Sequence, residues 1–348
     1  MVTIEHSTKI LDMQDKQTIQ SVVGLLAETH GPAYPEPIQS YFDHYGLDWP
    51  CARHWFGWFA SRDRKLAGHV WMPSTCKAIV VVLHGYMNHT GQMKHLIAGL
   101  LDNGFAVGSF DLPGHGLSEG NQAALGALGD YTQALRDFVK EIRLMLSAEI
   151  STGRPRGLRA GLCFYSIPGL PPTGSAMKIH FVGFSTGATV GIDNLISGHG
   201  DLFDKVVLAA PLIRWRGYKV SKATYAFYRT FTDRVPRMPQ ANSSDLDFLY
   251  FNRHCDSLHT PVVSLDWVKA IFNWNDQLVR VQPSPKELFI LQGDRDTTVD
   301  WRYNTRLLRD KFPAARMEII PAAKHELFNE AQPCRQHVIG RVVHYLNQ

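Results

Sequence analysis

Six residues, Gly183-Phe-Ser185-Thr-Gly187-Ala188, constrain this chain more than any other stretch. They follow a short apolar run over 178–182 that reads as a buried strand, and they precede 189–196, which reads as a helix. Strand, G-x-S-x-G, helix is the pattern of a nucleophile elbow. The turn is too tight for a side chain at 183 or 187, and it forces Ser185 into strained backbone. That strain lifts the hydroxyl clear of the sheet, at the N-terminus of a helix whose free N–H groups can stabilise an oxyanion. An ordinary glycine-rich strand-to-helix turn carries the same letters. The rest of the chain therefore has to supply a base, an acid and a second oxyanion donor.

The sequence on either side alternates strands and helices. Residues 78–83 are almost continuously apolar and rich in Val and Ile, as expected of a strand buried on both faces of a parallel sheet. Residues 55–60 and 66–71 read as an antiparallel hairpin about a charged turn at 61–64. A helix over 91–102 ends near Asn103-Gly104 and is followed by a strand over 106–110. Leu128, Tyr131, Leu135, Phe138, Ile142 and Met145 recur at spacings of three and four, the clearest amphipathic helix in the chain. Beyond the elbow come strands over 205–210 and 288–291, a helix over 301–311, a strand over 317–320 and a helix over 334–345. This alternation implies an α/β sheet.

Three segments fall outside the rhythm, and they divide the chain. Residues 1–54 form an arm packed on the core. In it Ile19, Val22, Val23 and Leu26 place one amphipathic helix, and Gly31-Pro-Ala-Tyr-Pro-Glu-Pro37 breaks any helix. Residues 151–177 read as an irregular insertion with an apolar tip at Leu162, Phe164 and Tyr165. Residues 211–285 read as a helical cap inserted into an α/β core of 55–210 and 286–348. The cap's aromatics, from Trp215 to Trp274, read mainly as its own core and also suit a pocket for an acyl chain.

Composition narrows the classes of function. The 348 residues, 45% hydrophobic and 20% charged, can bury a large core. A net charge of +4 without a lysine/arginine block is no nucleic-acid footprint. Arg214, Arg216 and Lys219 read as a solvated face. Five cysteines without a C-x-x-C pair make neither a disulfide framework nor a zinc pattern, which fits a reducing compartment. Asp12, Asp15 and Glu28 flank only a short apolar run, unlike a signal peptide, and no run reaches the roughly 18 apolar residues of a membrane span. The cytoplasm is the expected location.

In an open α/β sheet reactive groups sit in loops beyond the C-terminal ends of strands. The loop after 288–291 reads Gln292-Gly-Asp-Arg-Asp-Thr-Thr-Val299 and offers two acids. The Gly293-Asp294 turn favours a capping role for Asp294, whereas Asp296 lies where it can point back at a histidine. The loop after 317–320, Pro321-Ala-Ala-Lys-His-Glu326, offers His325 as the base. Serine, aspartate, histidine is the chain order of elbow-type triads. The second oxyanion donor is expected from His84-Gly85-Tyr86, after the first buried parallel strand, so the backbone N–H groups of Tyr86 and Thr186 are the candidates. His84 and His89 read as residues that hydrogen-bond backbone and shape that loop. His254-Cys255-Asp256 with His259 matches no common zinc spacing, and Gly114-His115-Gly116 lacks the dinucleotide register. No cofactor and no metal is called for.

With these residues the chain resembles the α/β-hydrolase family of monoacylglycerol lipases, bacterial lysophospholipases and related serine esterases. His84-Gly85-x-x-x-His89-x-Gly91 is similar to the family's oxyanion loop, and Asp111-x-x-Gly114-His115-Gly116-x-Ser118-x-Gly120 to its second signature. Gly183-x-Ser185-x-Gly187 is similar to the elbow, and Gly293-x-x-Asp296-x-x-Val299 with His325 to the rest of the triad. The resemblance implies an α/β-hydrolase fold, with a mostly parallel sheet flanked by helices and a helical cap. It favours Asp296 over Asp294. It implies ester hydrolysis through an acyl-enzyme on Ser185, with single-chain lipid esters, monoacylglycerol or lysophospholipid, as substrates. Phe184 and Thr186 stand where relatives often carry His and Met, and the insertion and the arm are unusual; these departures bear on the substrate. The alternatives are a short-chain carboxylesterase or thioesterase and, outside enzymes, a ligand-binding protein on a hydrolase scaffold. The cap and 161–172 are the candidate places for transient contact with a membrane surface, and no nucleic-acid partner is expected.

Overall fold

The computed structural model describes residues 17–20, 36–152, 177–238 and 240–348. In chain order its elements are α1 (Glu36–Tyr45), β1 (Ala52–Ser61), β2 (Arg64–Pro73), β3 (Ile79–Leu83), α2 (Lys94–Asp102), β4 (Ala106–Phe110), α3 (Leu128–Thr152), β5 (Ile179–Phe184), α4 (Thr186–Ile196) and β6 (Val206–Ala209). Then follow α5 (Tyr218–Phe231), β7 (Arg234–Pro236), α6 (Leu246–His254), β8 (Val262–Ser264), α7 (Leu265–Arg280), β9 (Phe289–Gly293), α8 (Trp301–Lys311), β10 (Arg316–Ile320) and α9 (Cys334–Asn347). Eight strands form one sheet in the order β1-β2-β4-β3-β5-β6-β9-β10. The β1–β2 hairpin joins β4 antiparallel, and from β4 to β10 all neighbours are parallel. The expected mostly parallel sheet is therefore present.

The continuous apolar strands feed two cores at once. Successive side chains of a strand point to opposite faces. Ile79, Val81 and Leu83 of β3 join a cluster with α3 and α4, while Val80 and Val82 join one with α1, α2 and α9. All five are buried because helices cover both faces. Helix α3 buries the six apolar residues from Leu128 to Met145 that its periodicity marks. Phe138 packs on Phe59 and Phe110, with ring centroids 5.1 and 5.0 Å away. Gly68 and Gly108 make the room: a Cβ on either would stand about 3 Å from the Phe138 ring.

Several expectations are corrected. Helix α1 begins inside the breaker stretch, at Glu36. Pro37 is tolerated because a first-turn N–H has no intrahelical acceptor to lose. Helix α4 starts at Thr186 rather than 189, since the elbow turns straight into it. Segment 211–285 is not purely helical: β7 and β8 pair as an antiparallel ribbon, and strands of three residues are too short to show a period. Its aromatics divide. Tyr218, Trp267, Phe272 and Trp274 are buried, whereas Phe227, Tyr228, Phe231 and Tyr250 are exposed. Arg214 is half-buried rather than freely solvated: its guanidinium lies 3.6 Å from the centroid of Tyr303 and its Nε donates to Asn275. Arg216 and Lys219 are exposed.

Of the arm helix, 17–20 is helical with Ile19 buried, and Val22, Val23 and Leu26 lie outside the described residues. So does 153–176, with its expected apolar tip and the 161–172 stretch. Cys51, Cys76, Cys255 and Cys334 are free thiols. Among the described residues no helix is long and apolar enough to cross a membrane.

Phe138→Ala should lower the unfolding free energy by about 3–5 kcal/mol, because Gly68 and Gly108 cannot fill the hole it leaves. Urea denaturation followed by circular dichroism measures this.

Candidate active site

Backbone meeting backbone holds the elbow closed. A Cβ on Gly187 would lie 2.2 Å from the Leu83 carbonyl oxygen, and one on Gly183 would lie 2.6 Å from the Gly187 carbonyl. Neither gap admits a methyl group. Between them Ser185 adopts φ 52° and ψ −111°, where non-glycine residues are rare. Hydrogen bonds lock this geometry: the Ser185 amide donates to Ala209 O (2.9 Å), and its carbonyl accepts from Thr189 N (3.1 Å) and Leu212 N (3.2 Å). The hydroxyl is left at the N-terminus of α4.

The parallel strands β9 and β10 deliver the other two side chains from their C-terminal ends. His325 Nδ1 lies 2.7 Å from Asp296 Oδ2 and donates to it. Its Nε2, 3.0 Å from Ser185 Oγ, is left to accept the hydroxyl proton. Asp296 Oδ2 also accepts from Gln292 Nε2 (3.0 Å), and Oδ1 accepts from the amides of Thr298 (2.8 Å) and Val299 (3.0 Å). All three side chains are buried. Burial pushes the Asp296 carboxyl up, but the charge of His325 and these donors outweigh it and hold it below its ordinary value. Burial likewise disfavours a charged His325, but the Asp296 carboxylate overrides that and raises it above the usual range. Asp294 is half-buried and does not reach His325; its amide donates to Ile320 O and closes the turn. Gly293 is needed because a Cβ there would stand 2.3 Å from Ala323 O, where the acid and base loops pass.

The loop after β3 lies against the elbow. A Cβ on Gly85 would be 3.1 Å from Ser185 Cβ, so the Gly85–Tyr86 peptide runs beside the hydroxyl. Thr186 heads α4, where a first-turn amide has no intrahelical acceptor. His84 Nε2 accepts from Leu112 N (2.9 Å), so its proton sits on Nδ1 and is donated to Gly85 O (2.7 Å). Burial lowers its pKa to about 4. His89 Nδ1 accepts from Gly91 N (3.2 Å), and its Nε2 donates to Asp256. Both histidines bind backbone, as expected, but the Asp256 contact has no counterpart in the sequence reading. Asp111, the first residue of the second signature, accepts from Thr90 N (2.7 Å) and Leu117 N (2.9 Å) and ties two loops together.

Residues from 211–285 complete the surroundings. The Tyr86 ring stacks on Trp267 with centroids 3.8 Å apart, and its hydroxyl donates to Ala123 O and accepts Ser264 N–H. The Asn242 carbonyl accepts the amides of both His325 and Glu326, and its side chain donates to Glu326 (3.1 Å). Burial raises the Glu326 carboxyl above its usual value, with His325 opposing. A cavity of about 470 Å³ is lined by Arg64, Asn121, Asp266, Lys269 and Asn273 among others, and Ser185 is not part of its lining. Among the described residues no three His, Cys, Asp or Glu side chains converge to hold a metal ion.

A family model described as serine aminopeptidase, S33 (Hydrolase_4) matches residues 74–149 and 172–332, more than half of the chain. The chain belongs to this family. It is a serine hydrolase of the α/β-hydrolase fold. The match breaks off over 150–171, all but the first residue of which falls in the stretch 151–177 read as an insertion, and it begins after α1, β1 and β2. Over 278 residues, 78% of this chain and 90% of the relative, the hydrolase is 22% identical to a monoglyceride lipase homolog of Monkeypox virus. It is 22% identical over 277 residues, 77% and 88% of the two chains, to a monoacylglycerol lipase of Mycolicibacterium smegmatis. The crystal structure of a soluble variant of monoglyceride lipase from Saccharomyces cerevisiae, in complex with a substrate analog, shares the fold. Its TM-score is 0.65 at 16% identity, over 83% of this chain and 94% of that one.

Sequence reasoning missed Gln292, Asn242, Glu326 and Asp256. Glu326 adjoins His325 and Gln292 opens the loop that carries Asp296, so both could have been found by proximity in sequence. Asn242 and Asp256 meet partners 84 and 167 residues away, and nothing local marks these contacts; the metal-type side chains around Asp256 point elsewhere. Gly187→Ala should cost about 3 kcal/mol or more of stability through its clash with Leu83 O. Gly340→Ala, exposed in α9 with open space around it, should instead gain about 1 kcal/mol. Paired urea titrations separate the two.

Proposed function

We infer that the hydrolase cleaves carboxylic esters of single-chain lipids through an acyl-enzyme on Ser185. The observation that carries this is the line Ser185 Oγ, His325 Nε2, His325 Nδ1, Asp296 Oδ2, with contacts of 3.0 and 2.7 Å. A hydroxyl within reach of an imidazole that a carboxylate orients is an activated nucleophile. His325 takes the Ser185 proton as Oγ attacks the ester carbonyl. The N–H groups of Tyr86 and Thr186 hold the tetrahedral oxyanion. Asp296 stabilises the imidazolium, which then protonates the leaving alcohol. His325 next activates the water that attacks the acyl-enzyme, and Ser185 is released. The lipid assignment rests on the two lipase relatives and on the aromatic wall of Tyr86, Trp267, Trp215 and Phe272. We read 211–285 as the cap over this site, with the exposed Phe227, Tyr228 and Phe231 as its outer apolar face for transient contact with a membrane surface.

A fluorophosphonate probe should label Ser185 and leave Ser185→Ala unlabelled. Folded protein that resists labelling would sink the enzyme mechanism. The substrate class is tested with aryl esters, monoacylglycerols, lysophospholipids and aminoacyl anilides. Monoacylglycerol or lysophospholipid turnover is expected to lead, and activity confined to short aryl esters or to anilides would reject the lipid assignment.

The pH dependence follows from His325. The base must be neutral to accept a proton, so kcat/KM falls as pH drops through its pKa, and Asp296 raises that pKa above the ordinary value of about 6.5. Asp296→Asn removes the raising partner and leaves the burial. The midpoint of the acid limb should then move to lower pH, with kcat reduced about 10⁴-fold. A limb that stays put would take this role from Asp296.

A further inference from the structure

We propose that Asp256 is a positioning residue for the oxyanion loop, acting through His89. Two parts of the chain distant from it in sequence, α1 and the stretch 89–92, meet on its carboxylate, which is wholly buried. His89 Nε2 donates to it from the loop after β3, 3.1 Å from both oxygens. Gln92 Nε2 donates from the turn that follows (2.5 Å). The Tyr45 hydroxyl donates from the last turn of α1 (2.9 Å). The amides of Leu258 and His259 close the set, each at 3.1 Å. A buried carboxylate is tolerable only while its donors stay in place, so the constraint is mutual: the anion holds its donors as firmly as they hold it.

What is held is the turn that carries the Tyr86 N–H. That turn runs from Gly85 to Asn88, closed by Asn88 N to Gly85 O (3.2 Å). It contains Met87 at φ 67°, a conformation that costs a non-glycine residue free energy. The same segment that bears Asp256 reaches it a second time, where Thr260 N donates to Met87 O (3.4 Å). From the far side Tyr45 packs edge-on against the His89 ring, with centroids 4.6 Å apart. Gly91 is the residue that lets them close: a Cβ there would stand 2.7 Å from Tyr45 Cγ and 2.8 Å from His89 Cε1. Tyr45 precedes the residues that match the family, so this half of the clamp comes from the chain's own N-terminal segment.

The inference rests on the proposed oxyanion role of the Tyr86 N–H. Such a donor acts more strongly on the transition state than on bound substrate. Asp256→Asn should therefore lower kcat and spare KM. Active sites are counted by fluorophosphonate titration, and kcat per site on an aryl ester should fall about 10- to 100-fold. KM should stay within about twofold, and affinity for an aryl boronic acid, a transition-state mimic, should fall by the same factor as kcat. The acid-limb midpoint should not move, because the charges that act on His325 are those of Asp296, Glu326 and Arg237 rather than Asp256. Combining it with His89→Asn should cost little more than either change alone, since the two act as one unit. Should Asp256→Asn fail to fold, Tyr45→Phe keeps the ring, removes one donor, and should lower kcat severalfold at constant KM. A lower melting temperature with wild-type kcat per site would overturn the proposal, as would a loss confined to KM. If the wild-type protein hydrolyses no ester, the reading of the site fails and this inference with it; an active wild type with an unaffected variant overturns this inference alone.

Discussion

At the elbow two backbones pass with no room for a methyl group, and the rest of the site depends on that passage. The carbonyls of Leu83 and His84 run against Gly187, while Gly85 runs against Ser185. The strand before the His84–Asn88 loop and the strand before Ser185 are parallel neighbours, in register from Ile79 with Ile179 to Leu83 with Gly183. Parallel pairing brings their C-terminal ends to one edge of the sheet, and β9 and β10 add theirs. A second glycine contact, Gly293 against Ala323 and Lys324, sets the distance between the acid and base loops. Two bare backbone contacts thus register four strand ends around one hydroxyl.

Buried carboxylates organise the loops that leave those strand ends. Asp111 ties the loop after β3 to the loop after β4, and Asp296 gathers a side-chain amide, two backbone amides and an imidazole. Glu330 takes the amides of Ser244 and Lys324, which joins segment 211–285 to the base loop. Each anion is buried only because several donors converge on it, and charge-assisted hydrogen bonds are the stronger kind. Loops without regular structure are held in this way as firmly as packing holds the strands.

Segment 211–285 is tied directly to the loops around Ser185. Its Asn242, Thr260, Ser264 and Trp267 all bond to or stack on the loops beside Ser185. Helix α7 is anchored beneath by Trp274, whose indole N–H reaches Asp193 of α4. The segment's aromatic side chains point both ways, with Trp267 and Phe272 inward and Phe227 and Phe231 outward.

What could be read in the chain is what leaves a local mark. Glycines that admit no substitute stand as letters at 183, 187 and 293. Strands buried on both faces appear as unbroken apolar runs, and α3 appears as a period. The chain order of Ser185, Asp296 and His325 follows from strand-end loops, and the structure brings these three into hydrogen-bond contact. Other features left no such mark. The three-residue strands of the ribbon have no period, and Arg214 looks solvated until Tyr303 is found beneath it. Nothing near Asp256 announces His89, 167 residues away, or Tyr45, 211 away. The physical reason is one of range. Steric exclusion and burial act on neighbouring residues and select their types, so the sequence by itself determined the elbow, the sheet and which serine, aspartate and histidine come into contact, Ser185, Asp296 and His325. A hydrogen-bond acceptor does not record its donor, so the clamps that shape the loop after β3 and pin the loop after β10 were decided only when the chain folded.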